Sequence, residues 1–129
     1  MRGGNMKELT IGTMVATGLI LLSTQYVNAG DTALTTEEVI QMISGKTVYG
    51  TSSRGHRYKM YFGADGSLKN SGGEKGVWEI KDGSVCNTYD KRGFAGCDKV
   101  YRKDNGKIYY VVPNGKKGKF RKFKEGDHL

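Results

Sequence analysis

Proline is nearly missing from this 129-residue chain, which has Pro113 alone, and histidine, cysteine and tryptophan number only two, two and one. Each scarcity excludes something. His56 lies beside Arg54, Gly55 and Arg57 in a turn-like stretch and His128 next to the last residue. Neither has an identifiable partner of the kind that orients a general base. Two cysteines fall short of the four ligands of a structural zinc site, which would have to enlist those histidines or scattered carboxylates. No serine stands in a G-x-S-x-G elbow, and no Walker loop, His-Glu-x-x-His pair or dinucleotide fingerprint occurs. Glu74, Glu79, Asp82, Asp90 and Asp98 show no spacing that singles out two of them as an acid–base pair. The chain therefore reads as non-catalytic, with no metal and no cofactor expected.

Long apolar runs are also lacking. The stretch Ile11 to Leu22 is too short to span a bilayer comfortably, but it follows Lys7 and ends in the polar segment Ser23 to Asn28. That arrangement is a secretory signal peptide over residues 1–29, with the small residues Val27 and Ala29 placing the cut before Gly30. No cysteine near the cut is available for lipid attachment. Setting this segment aside removes Arg2, Lys7 and Glu8, which takes 21 basic and 13 acidic residues to 19 and 12 and the net charge from +8 to +7. Residues 30–129 suit one β-rich domain. The expected location is periplasmic or secreted, and in such an oxidising compartment Cys86 and Cys97 are expected to pair as a disulfide.

What the chain does have is 20 glycines, mostly at turn positions, and eight tyrosines. Thr35 is a natural N-cap, Glu38 completes a capping box, and Leu34 with Val39 forms a hydrophobic staple. A helix is expected from there, with Val39, Ile40, Met42 and Ile43 as its apolar face and Ser44-Gly45 ending it after about three turns. From Lys46 the hydrophobic period falls to two, and strand-like runs recur about every ten residues. They cover Thr47 to Thr51, Arg57 to Phe62, Ser67 to Asn70, Val77 to Ile80, Val85 to Tyr89, Asp98 to Arg102, Lys107 to Val112 and Lys116 to Lys124. Every link is of hairpin length. The fold class is therefore mainly β: a small antiparallel meander of seven to eight short strands, either a barrel or a strongly twisted open sheet, with one short N-terminal helix packed on it.

The stretch Gly76 to Cys97 holds the lone tryptophan and both cysteines, and reads as a hairpin turning at Asp82-Gly83 and stapled by the disulfide. Trp78 and Ile80 are expected inward, and Glu79 outward. The helix ending in SGKTVYG, the YFGADGS turn, GVWEIKDGSVC and the second cysteine together resemble a family of small periplasmic proteobacterial domains of unknown function. That resemblance implies a location and a fold, and brings no active site with it. Gly76-x-Trp78 is also similar to the lipocalin fingerprint, but it follows several strands here instead of lying on the first.

Two stretches carry functional expectations. Lys116, Lys117, Lys119, Arg121, Lys122 and Lys124, interleaved with Phe120 and Phe123, form a cationic run suited to anionic partners such as lipid headgroups, lipopolysaccharide or acidic glycans. The same lysines on an edge strand would serve to prevent sheet-to-sheet aggregation. Tyr58, Tyr110 and Trp78 stand out within the larger aromatic set of Tyr49, Tyr61, Tyr101 and Tyr109 as groups that would stack on or line a ligand site. The expected function is an exported binding or envelope-interaction module. The alternatives are a small-ligand carrier with a Tyr/Trp-lined barrel interior and an inhibitor of a secreted enzyme.

Overall fold

A computed structural model describes residues 30–129. The signal-peptide reading falls on residues 1–29 and lies outside them. The short strand β1 (Thr32–Ala33) leads into helix α1 (Thr36–Ile43), where Thr35 Oγ1 accepts from the Glu38 amide and Glu38 Oε1 accepts from the Thr35 amide. The capping box is thus in place, and Gly45 takes the left-handed conformation after the helix at φ 74°. The helix has eight residues, just over two turns against the three expected. Val39 and Ile43 are fully buried with Leu34 behind them, whereas Ile40, expected on the apolar face, is 39% exposed. A two-turn helix presents a narrow stripe, and Ile40 falls outside it.

Eight strands follow: β2 (Lys46–Thr51), β3 (Arg57–Phe62), β4 (Ser67–Asn70), β5 (Lys75–Lys81), β6 (Ser84–Tyr89), β7 (Gly93–Arg102), β8 (Ile108–Val111) and β9 (Lys117–Glu125). Each pairs antiparallel with the next, and β9 returns to pair with β2, from Lys119↔Thr51 to Glu125↔Lys46. The meander is therefore a closed eight-stranded up-and-down barrel. β1 extends the ladder on β7 at Arg102 and Tyr101, past the point where β6 begins opposite Lys99. At the β5–β6 turn Asp82 and Gly83 both have positive φ, 50° and 75°, as a tight hairpin requires.

Closure pairs β9 with β8 through Lys117–Phe120 and with β2 through Lys119–Glu125, so the edge-protection role considered for the C-terminal lysines applies only to the stretch past Phe120 that pairs with β2 alone. The register between Phe120 and Lys122 slips at a bulge. Phe120 and Phe123, three residues apart, therefore turn the same way and meet edge to face at 6.0 Å. Helix α1 packs on β2, β5 and β6 and closes one end of the barrel. Trp78 is half-buried in this region, meets Phe62 edge to face at 5.6 Å, and donates its indole N–H to Gly63 O at 2.9 Å. Ile80 is half-buried on the same face and Glu79 is exposed on the other.

Candidate functional site

The end of the barrel away from α1, where the β2–β3, β6–β7 and β8–β9 turns lie, opens into a cavity of about 520 Å³. Its walls follow from strand alternation. On β3, Tyr58, Met60 and Phe62 face in. On β6 it is Val85, Asn87 and Tyr89, and on β7 it is Asp98. Tyr110 and Phe120 contribute from β8 and β9, and Arg54, Arg92 and Pro113 stand at the rim.

Two glycines make room for two of the tyrosines. Gly50 lies opposite Tyr58 and Gly118 opposite Tyr110 across neighbouring strands. A Cβ on Gly50 would stand 2.5 Å from the Tyr58 ring, and one on Gly118 2.3 Å from the Tyr110 ring. The rings lie over the bare backbone, and their hydroxyls meet at 2.9 Å. Tyr110 also lies 3.4 Å from Thr51 O, a carbonyl that can only accept. Tyr110 therefore donates to Thr51 O and Tyr58 donates to Tyr110. Burial first, and the neighbouring Tyr110 second, push the Tyr58 phenol far up. The Tyr110 phenol is raised mainly by burial, with the hydrogen bond from Tyr58 pulling the other way, as an acceptor's should.

Two polar groups in the cavity wall are left over. Asn87 is 8% exposed, and its Oδ1 is buried without a hydrogen-bond partner. The Asp98 carboxyl is raised to about 6 by burial, and no group among the described residues donates a hydrogen bond to it. An unpaired buried acceptor costs free energy, as the Asn87 oxygen does, and the desolvated Asp98 carboxyl keeps only partial contact with water. At the rim Arg92 is committed twice: its guanidinium holds Glu74 through two hydrogen bonds and stacks 4.0 Å above the Tyr89 ring. That ion pair holds Glu74 below the usual carboxylate range, helped by the Asn70 amide.

Of the aromatic residues expected to line a ligand site, Tyr58 and Tyr110 are brought together here and Trp78 is not, since its ring packs toward the closed end. Tyr89, Asn87 and Asp98 are cavity residues that the sequence reading did not select. The alternation Val85, Asn87, Tyr89 was the available signal for two of them.

The cationic run divides among several places on the outer face. Lys117, Lys119 and Arg121 line a groove of about 480 Å³, to which the β7–β8 turn adds Lys103 and Lys107, unanticipated from sequence. Tyr109 forms its floor, with the Lys117 and Lys103 ammonium groups 5.0 and 5.8 Å from the ring centroid. Lys122 lies instead over Tyr49, opposite Lys59. Lys116 is in the β8–β9 turn, where its amide donates to Asn114 Oδ1, and Lys124 projects into solvent near the end of β9.

Cys86 and Cys97 form the expected disulfide, directly opposite each other on β6 and β7 with Cα atoms 4.0 Å apart, on the face away from Val85 and Asn87. Among the described residues, no three His, Cys, Asp or Glu side chains gather as a metal ion requires, and no helix is long and apolar enough to cross a membrane. The chain matches no protein-family model, no curated protein and no solved structure.

Proposed function

We propose that the protein is an exported, non-catalytic binding module that holds a small ligand in the open end of its barrel. One observation carries this reading: a cavity within the size range of small-molecule sites, walled by apolar and aromatic side chains, with the Asp98 carboxylate in its wall. The disulfide is compatible with an exported location. A thermal-shift screen of small molecules against wild type and Ala95→Trp tests the reading. Ala95 is exposed at the rim, so a large ring there obstructs entry without repacking the core. Ligands that raise the melting temperature of wild type and not of the variant support an interior site. Equal shifts in both would place binding elsewhere.

A second reading is favoured by the gathering of Lys103, Lys107, Lys117, Lys119 and Arg121 around Tyr109. This face binds anionic headgroups or glycans through summed charge, in addition to the interior ligand. Retention on heparin at low ionic strength should collapse as salt rises several-fold, since the screening length is only about 8 Å at physiological strength. A wild-type protein that passes unretained at low salt would end that reading.

A further inference from the structure

The ligand class can be taken further than "small molecule", on the premise that the barrel interior is the binding site. The charged groups lining the cavity divide by depth: Arg54 and Arg92 stand at the rim, and the Asp98 carboxylate lies on the inner wall. The hydroxyl protons of Tyr58 and Tyr110 are spent on Tyr110 and Thr51 O, which leaves oxygen lone pairs facing inward. Asp98 adds a carboxylate to which no group among the described residues donates, while the unpartnered Asn87 amide oxygen is buried within the wall. Around the carboxylate stand the aromatic rings of Tyr58, Tyr110 and Phe120, whose quadrupoles attract positive charge; Tyr89 already carries the Arg92 guanidinium on its face. Missing from the interior is a cation bearing N–H groups.

We infer that the barrel interior binds a small protonated amine with an apolar or aromatic body, its ammonium donating to the Asp98 carboxylate. A compact charge bearing N–H donors suits a carboxylate that no described side chain pairs. The apolar body then lies against Met60, Phe62, Val85 and Phe120, deeper in the barrel or along its wall.

The rim does not oppose this. Arg92 is neutralised by Glu74, and Arg54 is exposed to water, where its repulsion is screened. The groups facing Asp98 are the phenols of Tyr58 on β3, Tyr89 on β6 and Tyr110 on β8, all held protonated at neutral pH by burial, with Arg54 and Arg92 the charges at the mouth. The pH response near neutrality therefore belongs to Asp98. Amine binding requires its ionised form and weakens as pH falls through about 6.

Calorimetric titration with three probes of nearly equal shape tests the inference: 2-phenylethylamine, 2-phenylethanol and 3-phenylpropionate. Wild type at pH 7.5 should bind the amine about tenfold or more tightly than the alcohol, and the acid least of all. The preference should fade below pH 6, which needs no variant, and Asp98→Asn should erase it by bringing amine and alcohol together. Alcohol or acid binding as tightly as the amine, while remaining sensitive to Ala95→Trp, would overturn the ligand class and leave the interior site standing. Failure of all three to bind wild type, or amine binding indifferent to Ala95→Trp, would overturn both.

Discussion

Asp98 is the residue at which stability and binding pull apart. Its carboxyl has an ordinary value of 3.8 when unfolded and about 6 when folded, so between those values the folded chain holds more proton than the unfolded one. Stability therefore falls as pH rises from about 4 to about 6, and the full cost is present at neutral pH. The shift corresponds to about 3 kcal/mol, which partial contact with water reduces to about 1–2 kcal/mol. Asp98→Asn should therefore stabilise the protein by about that amount at pH 7.5 and by little at pH 4, as read from denaturant midpoints at the two pH values. Equal effects at both would mean that the carboxyl is not desolvated. Asp98 was hard to read from sequence because a charged residue in a strand ordinarily faces water. Its direction is fixed by a bulge between Asn87 and Thr88, which puts Phe94 outside at 66% exposure and Gly96 opposite Asn87. Tyr58 was legible because it alternates with Met60 and Phe62 against Arg57 and Lys59, with no bulge to interrupt the phase.

At the scale of elements, the turns and the capping box were legible because their chemistry is local: Thr35 and Glu38 satisfy each other's amides, and Asp82-Gly83 adopts angles that few other dipeptides accept. Pairing between distant strands is not local, and it creates the site. Gly50 and Gly118 fall within strand runs in the sequence, but nothing there shows that each lies under the tyrosine ring opposite it. Gly118→Val should drive the Tyr110 ring off β9, break the hydroxyl pair with Tyr58 and cost about 1–3 kcal/mol by overpacking. A crystal structure of the variant with the two hydroxyls still 2.9 Å apart would contradict this account. The β6–β7 pair is held by the disulfide as well as by its ladder. Cys86→Ser with Cys97→Ser should lower stability by about 2–4 kcal/mol, seen as a lower denaturant midpoint. An unchanged midpoint would show that the ladder suffices.

For the whole molecule, a helix at one end and a cavity at the other follow from a single meander whose last strand finds its first. The sequence pattern favoured a barrel-like sheet but did not exclude an open one. What separates them is the match of β9 to β2, where the bulge at Arg121 lets Phe120 and Phe123 both turn inward while Lys119 and Lys122 stay outside. Closure also sorts the tyrosines into an inner set around the cavity and an outer set, Tyr49 and Tyr109 among them, beneath lysines. The molecule thus carries cations on its outer face and the Asp98 carboxylate on the cavity wall. Amide chemical-shift mapping of the 15N-labelled protein titrated with 2-phenylethylamine at pH 7.5 tests this division most directly. The account predicts saturable shifts centred on Tyr58, Asn87, Asp98 and Tyr110, including the Asn87 side-chain amide, and none in the Lys117 to Arg121 groove. Shifts confined to the outer face, or none at any concentration that leaves the protein folded, would contradict it.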